Sequence, residues 1–188
     1  MKKLSNLKSA GFTLVELLVV IGVLGLLAAG LLATIDPLEQ LRKGADSNRR
    51  STAQELVNGL ARYYGTHSAM PWEPPGNGGD AACNTAVPAA PAALRVSNGA
   101  AASAFGACIT ALANDGEVKS SFAAQYNILS SLYITETTPA GSTAVSVSVC
   151  YDPESRSESK KPETKYSQNP TGAACDPSTS NNCYWCAQ

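Results

Sequence analysis

The chain has one histidine among 188 residues, and charged side chains make up only 15% of it. His67 stands beside a turn without an evident serine or cysteine partner, which is poor material for acid–base or nucleophilic catalysis. The sequence also lacks G-x-S-x-G, H-E-x-x-H and a glycine-rich phosphate loop. We therefore expect a protein that is not an enzyme and needs no cofactor. Net charge is only −1, and no lysine- or arginine-rich block follows the N-terminus. That leaves no electrostatic footprint for nucleic acid, so no direct nucleic-acid binding is expected. Cysteine is missing from the first 80 residues, after which Cys83, Cys108, Cys150, Cys175, Cys183 and Cys186 appear. This distribution suits an oxidising compartment for the later part of the chain.

The N-terminus shows how that part reaches such a compartment. Residues 1–11 carry Lys2, Lys3 and Lys8 and no acid, and Phe12–Ile35 is an apolar run of 24 residues. As a helix the run spans about 36 Å, enough for a hydrocarbon core of about 30 Å. Positive charge in front of it keeps that end cytoplasmic and sends the rest of the chain across. Glu16 is the only charged residue in the run. An ionised group at the bilayer centre costs roughly 2.5–3.5 kcal/mol on insertion scales, so Glu16 needs a partner.

A cleaved secretory signal would end near Ala28-Ala29-Gly30, but the apolar run is long for one and leucines continue beyond. A plain uncleaved anchor leaves the acid unexplained. A cut between Gly11 and Phe12 gives Phe12 a free, charged α-amine. A second copy shifted by about 6 Å of helical rise can then bring its amine beside Glu16. Such a pair would fix a staggered, parallel register, as a buried polar group does in a coiled coil. Glu16 pairing with its own amine, or staying protonated, is the alternative.

Gly11-Phe12-Thr13-Leu14-Val15-Glu16, behind a short lysine-bearing leader and ahead of a long apolar helix, resembles the processing signal of type IV pilins and pseudopilins. The resemblance implies that a membrane aspartyl (prepilin) peptidase cuts after Gly11, that Phe12 is methylated, and that Glu16 serves assembly. It implies an α+β fold in which a long N-terminal helix packs its second half on a small antiparallel sheet. It also implies a precursor held in the cytoplasmic membrane, then extracted with the pilus assembly machinery into a homopolymeric surface filament. The alternatives are a pseudopilin of a type II secretion or DNA-uptake system, and an anchored extracytoplasmic binding protein that never polymerises.

Four segments follow: a leader over 1–11, the apolar helix over 12–35, an amphipathic helix over 36–65 and an extracytoplasmic head over 66–188. Gly22, Gly25 and Gly30 are small residues that allow close helix packing in lipid. Asp36-Pro37 suits the break between the helices. Leu41, Ala45, Thr52, Leu56, Leu60 and Tyr63 or Tyr64 recur at helical spacing, and Gly65 is placed to cap the helix. Arg42, Lys43, Arg49, Arg50, Glu39, Asp46 and Glu55 are expected on its solvated or intersubunit faces.

Residues 70–107 are turn-rich and then alanine-rich, with little to bury except Leu94, Val96 and Phe105 and with one short helix near 104–113. Ser131–Thr138 and Val145–Tyr151 read as a hairpin, the second strand half-buried by alternation. Cys183-Tyr184-Trp185-Cys186 reads as a last strand. Three strands and a helix make a small head that needs disulfides. Cys83 is expected with Cys108, which flank the loop, and the last four cysteines among themselves, with the connectivity open. A zinc site using the C-x-x-C with Cys150 and Cys175, a redox role, and calcium on the oxygens of 176–182 are the weaker readings. No metal is expected.

Overall fold

The computed structural model describes residues 11–34, 36–83, 85–88, 92–97, 105–137, 145–167, 169–177 and 183–188. The chain divides into two compact units, Met1–Leu38 and Glu39–Gln188.

In the first unit, α1 spans Leu14–Thr34. Its 21 residues rise about 32 Å. It is long and apolar enough to cross a membrane, and its large side chains stand exposed along its length. Asp36 Oδ1 accepts a hydrogen bond from the Leu38 N–H at 3.2 Å, the bond of an N-cap before Pro37.

Helix α2, Pro37–His67, supplies the second unit with its longest element. Its apolar rhythm buries Ala53, Leu56, Val57, Leu60 and Tyr63, while Leu41 is exposed. The helix does not stop at Gly65. It continues to His67, whose ring stacks on Tyr63 with centroids 4.0 Å apart. Ser68 then takes a positive φ of 56° and ends the helix. Asp46, expected on a polar face, is fully buried.

Besides two short 3-10 helices, Pro75–Asn77 and Ser120–Ala124, the remaining elements among the described residues are β1 (Leu94–Arg95), α3 (Gly106–Asn114), α4 (Tyr126–Leu129), β2 (Leu132–Thr137), β3 (Ser146–Tyr151), α5 (Arg156–Ser159), β4 (Tyr166–Ser167), β5 (Asn169–Ala174) and β6 (Trp185–Ala187). An antiparallel four-stranded sheet runs in the order β1-β2-β3-β6, and β4 and β5 form a separate ribbon. The fold is α+β. Three strands are additional to those expected: β4 and β5 of the ribbon, and β1, which lies in the alanine-rich region and pairs Leu94 with Ile134.

One core joins Leu56, Leu60 and Tyr63 of α2 to Leu132 and Ile134 of β2 and to Val147, Val149 and Tyr151 of β3. Phe105, Ile109 and Leu112 extend it, so the alanine-rich region contributes fully buried side chains. Strand β3 departs from the expected half-burial. Ser148 and Cys150 are buried as well as the valines, and β5 lies close to β3. The turn expected over 139–142 lies outside the described residues.

Three disulfides hold this unit: Cys83–Cys108, Cys150–Cys186 and Cys175–Cys183. Cys150 and Cys186 are direct cross-strand neighbours on β3 and β6, so the register brings them together. Each bridge contributes about 2–4 kcal/mol, a large share of the stability of a small head.

Candidate functional site

Gly11, Phe12 and Glu16 lie together at the start of α1. Gly11 is exposed with open space around it, and Phe12 is 85% exposed. Residues 11–13 are non-helical and the helix begins at Leu14, so the Gly11–Phe12 bond is exposed and lies outside the helix.

The Glu16 side chain folds back on Thr13. The Thr13 N–H donates to Glu16 Oε2 at 2.9 Å and the Thr13 hydroxyl donates to the same oxygen at 2.8 Å. In return the Glu16 N–H donates to Thr13 Oγ1 at 3.3 Å. The first helical bond, from the Leu17 N–H to the Thr13 carbonyl, forms beside them at 3.3 Å. This is a capping box: Thr13 is the N-cap, Glu16 the third helical residue, and each satisfies a backbone donor that the helix start leaves over. A carboxylate at this end also complements the helix dipole. Thr13 was not singled out from sequence, although its signal, Thr-x-x-Glu before an apolar run, is readable there.

The rest of α1 offers a smooth apolar surface. An added Cβ at Gly22, Gly25 or Gly30 would meet nothing within 4 Å, so these glycines are open to whatever surrounds the helix.

The second unit carries polar chemistry of a structural kind. Buried Asp46 accepts hydrogen bonds from the Glu154 N–H at 3.0 Å and the Ser155 N–H at 2.8 Å, and pairs with Arg49 at 3.1 Å. Arg49 also pairs with Glu154, and Arg50 bonds Glu158 at 2.9 Å while lying 4.7 Å from the Trp185 ring centroid. Burial pushes the Tyr151 hydroxyl up to about 12, and the Arg50 guanidinium beside it opposes that shift. Burial, reinforced by the Asp46 charge, raises Asp152 above the ordinary carboxylate range.

His67 Nε2 lies 3.8 Å from Asp115, and its Nδ1 faces the Thr66 hydroxyl and the Tyr63 carbonyl. Among the described residues no group of three or more His, Cys, Asp or Glu side chains could hold a metal ion. All six cysteines are in disulfides, so the C-x-x-C offers no thiolates.

No curated protein and no solved structure matches the chain. Residues 6–32, which enclose the Gly11–Phe12 bond, the capping box and most of α1, match the family model described as the prokaryotic N-terminal methylation motif, the prepilin-type signature of type IV pilins and pseudopilins.

Proposed function

We propose that this chain is a structural subunit of a type IV pilus-like filament, made as a membrane-inserted precursor. A prepilin peptidase cuts between Gly11 and Phe12, the new Phe12 amine is methylated, and the subunit polymerises with copies of itself through α1. Lys2, Lys3 and Lys8 hold the leader on the cytoplasmic side, and the disulfide-bearing second unit lies outside. The observation that carries this reading is the coincidence of the methylation motif at 6–32 with an exposed helix of membrane length that bears one acid near its start. Glu16 is then the assembly residue: its carboxylate meets the Phe12 amine of a neighbouring copy within the low-dielectric helix bundle.

Secretion pseudopilins use the same signal, and subunit shedding separates the two: a pilus subunit is recovered in filaments sheared from intact cells. The deciding experiment is the mass of the N-terminal peptide from that sheared fraction. A methylated peptide starting at Phe12 supports the proposal. One starting near Leu31 means an ordinary secreted protein, and an uncut terminus found only in membranes means a non-polymerising anchor.

A further inference from the structure

Helix α2 separates a surface with uncompensated positive charge from one with uncompensated negative charge. Near its start, Glu39 accepts from the Ser157 N–H at 3.3 Å and Asp46 from the Ser155 N–H at 2.8 Å, so α5 is held against its first turns. Arg42 is exposed there, one helical turn from both acids, and Arg156 and Lys160 stand exposed at α5, four residues apart. The acids beside them are already taken: Glu154 pairs with Arg49, and Glu158 with Arg50 and Lys161. No ion pair joins Arg42, Arg156 or Lys160 to any of the described residues. Past the other end of α2, Glu73 and Asp80 are half-buried in a cleft of about 380 Å³ that Trp72, Pro74 and Pro75 help to wall. The Tyr63 hydroxyl donates to the Gly78 carbonyl at 3.3 Å and ties this loop to the last turn of α2. Glu73 uses Oε1 on the Met70 N–H, and Asp80 uses Oδ1 on the Ala82 and Cys83 N–H groups. Neither carboxylate has a basic partner among the described residues.

Between Arg42 and His67 the helix rises about 38 Å, so the two surfaces cannot meet within one copy. They can meet head to tail between copies, and a heterologous contact of that kind builds an open helical polymer unless its rotation closes a ring. We propose that the basic surface of Arg42, Arg156 and Lys160 docks on the Glu73–Asp80 cleft of a second copy, displaced by about the length of α2. This inference rests on the filament proposed above and names a contact between second units within it. Charge complementarity selects the occupant: the cleft holds two carboxylates without a cation, and the other surface holds three cations without an acid. Arginine suits the cleft best, because its plane stacks on a tryptophan ring while its fork bonds a carboxylate. Trp72 Nε1 donates to Glu136 at 3.1 Å, which holds that ring in place. The docking joins copies farther apart along the filament than those sharing the Glu16–Phe12 pair, whose offset is about 6 Å.

The test uses the full-length protein in the cell that makes the filament. Sheared protein is measured relative to the membrane pool that mass spectrometry shows to start at Phe12, a ratio that removes effects on insertion and cutting. Arg156→Glu with Lys160→Glu reverses the basic surface at exposed side chains and is expected to lower the ratio about tenfold, the equivalent of about 1.4 kcal/mol. Glu73→Gln with Asp80→Asn removes the charge of the cleft but keeps the oxygens that the Met70, Ala82 and Cys83 N–H groups use, and is expected to lower the ratio less. Combining all four substitutions removes the like-charge repulsion and should raise the ratio above that of the reversed surface alone. A wild-type ratio for either pair overturns the proposal. So does a combined variant no better than the reversed surface, which would give that surface a different occupant, such as anionic lipid. A sheared wild-type fraction without chains starting at Phe12 overturns the filament itself, and the docking with it.

Discussion

Asp46 Oδ2 accepts a hydrogen bond from the Ser155 N–H at 2.8 Å, joining residues 109 apart in the chain. Through this bond and its companion to Glu154, a fully buried carboxylate on α2 fixes the segment that leaves β3 and enters α5. Ser155 in turn caps α5 by accepting from the Glu158 N–H at 3.3 Å. The chain after the central strand is therefore anchored on the long helix by charge-assisted hydrogen bonds rather than by apolar packing.

Removing the Asp46 carboxylate leaves two backbone donors without their acceptor and Arg49 with Glu154 alone. Asp46→Ala is expected to destabilise the detergent-solubilised protein by about 3–5 kcal/mol, the range for breaking a buried charged pair. Denaturant unfolding followed by near-ultraviolet circular dichroism checks it. A loss below about 1 kcal/mol, the value of an exposed pair, would show that the site is not the anchor described.

Two glycines should respond in opposite directions to the same substitution. A Cβ at Gly79 would stand 1.8 Å from the Glu73 carbonyl oxygen, a backbone atom that cannot give way, whereas one at Gly65 meets nothing within 4 Å. Gly65→Ala is expected to stabilise by about 0.5–1 kcal/mol through helix propensity. Gly79→Ala is expected to destabilise by about 1–3 kcal/mol through overpacking. Paired thermal melts of the two variants decide this.

The disulfides close loops of different length: sequence separations are 36 for Cys150–Cys186, 25 for Cys83–Cys108 and 8 for Cys175–Cys183. On the chain-entropy account they contribute about 3.8, 3.5 and 2.5 kcal/mol. Replacing each pair with serines should lower the unfolding midpoint in that order, with Cys175→Ser/Cys183→Ser the mildest. A reversed order would show that native packing around each bridge outweighs loop closure.

Alkaline stability should carry the mark of Tyr151. Its hydroxyl is pushed up to about 12 in the folded protein, mainly by burial, against about 10 in an unfolded chain. The folded state then holds the proton more tightly. The contribution is complete below pH 10 and is lost as pH rises through about 12. Burial raises Tyr63 and Tyr184 as well, so they act in the same sense. Tyr151→Phe should flatten the fall in stability over this interval, measured as unfolding midpoint against pH. An unchanged slope would mean that other groups carry the alkaline transition.

The sequence by itself determined the N-terminal helix, its one acid and the motif around them. Those features are contiguous: an apolar run, a carboxylate four residues after Phe12 and an N-terminal stretch with three lysines keep their physical meaning whatever the rest of the chain does. The buried stripe Leu56, Leu60 and Tyr63 was legible for the same reason, because helical periodicity is local. Tertiary structure alone decided where Asp46 sits, since only the docking of Glu154 and Ser155 gives a buried carboxylate its donors. It also decided that Ser148 and Cys150 of β3 are buried along with its valines, that Leu94–Arg95 joins the sheet, and that Cys150 pairs with Cys186 across a strand register. Each of these depends on partners distant in the chain, whose proximity no local pattern encodes. Thr13 is the exception: its bond to Glu16 is local and its spacing was readable, but only the folded geometry showed both donors sharing one carboxylate oxygen.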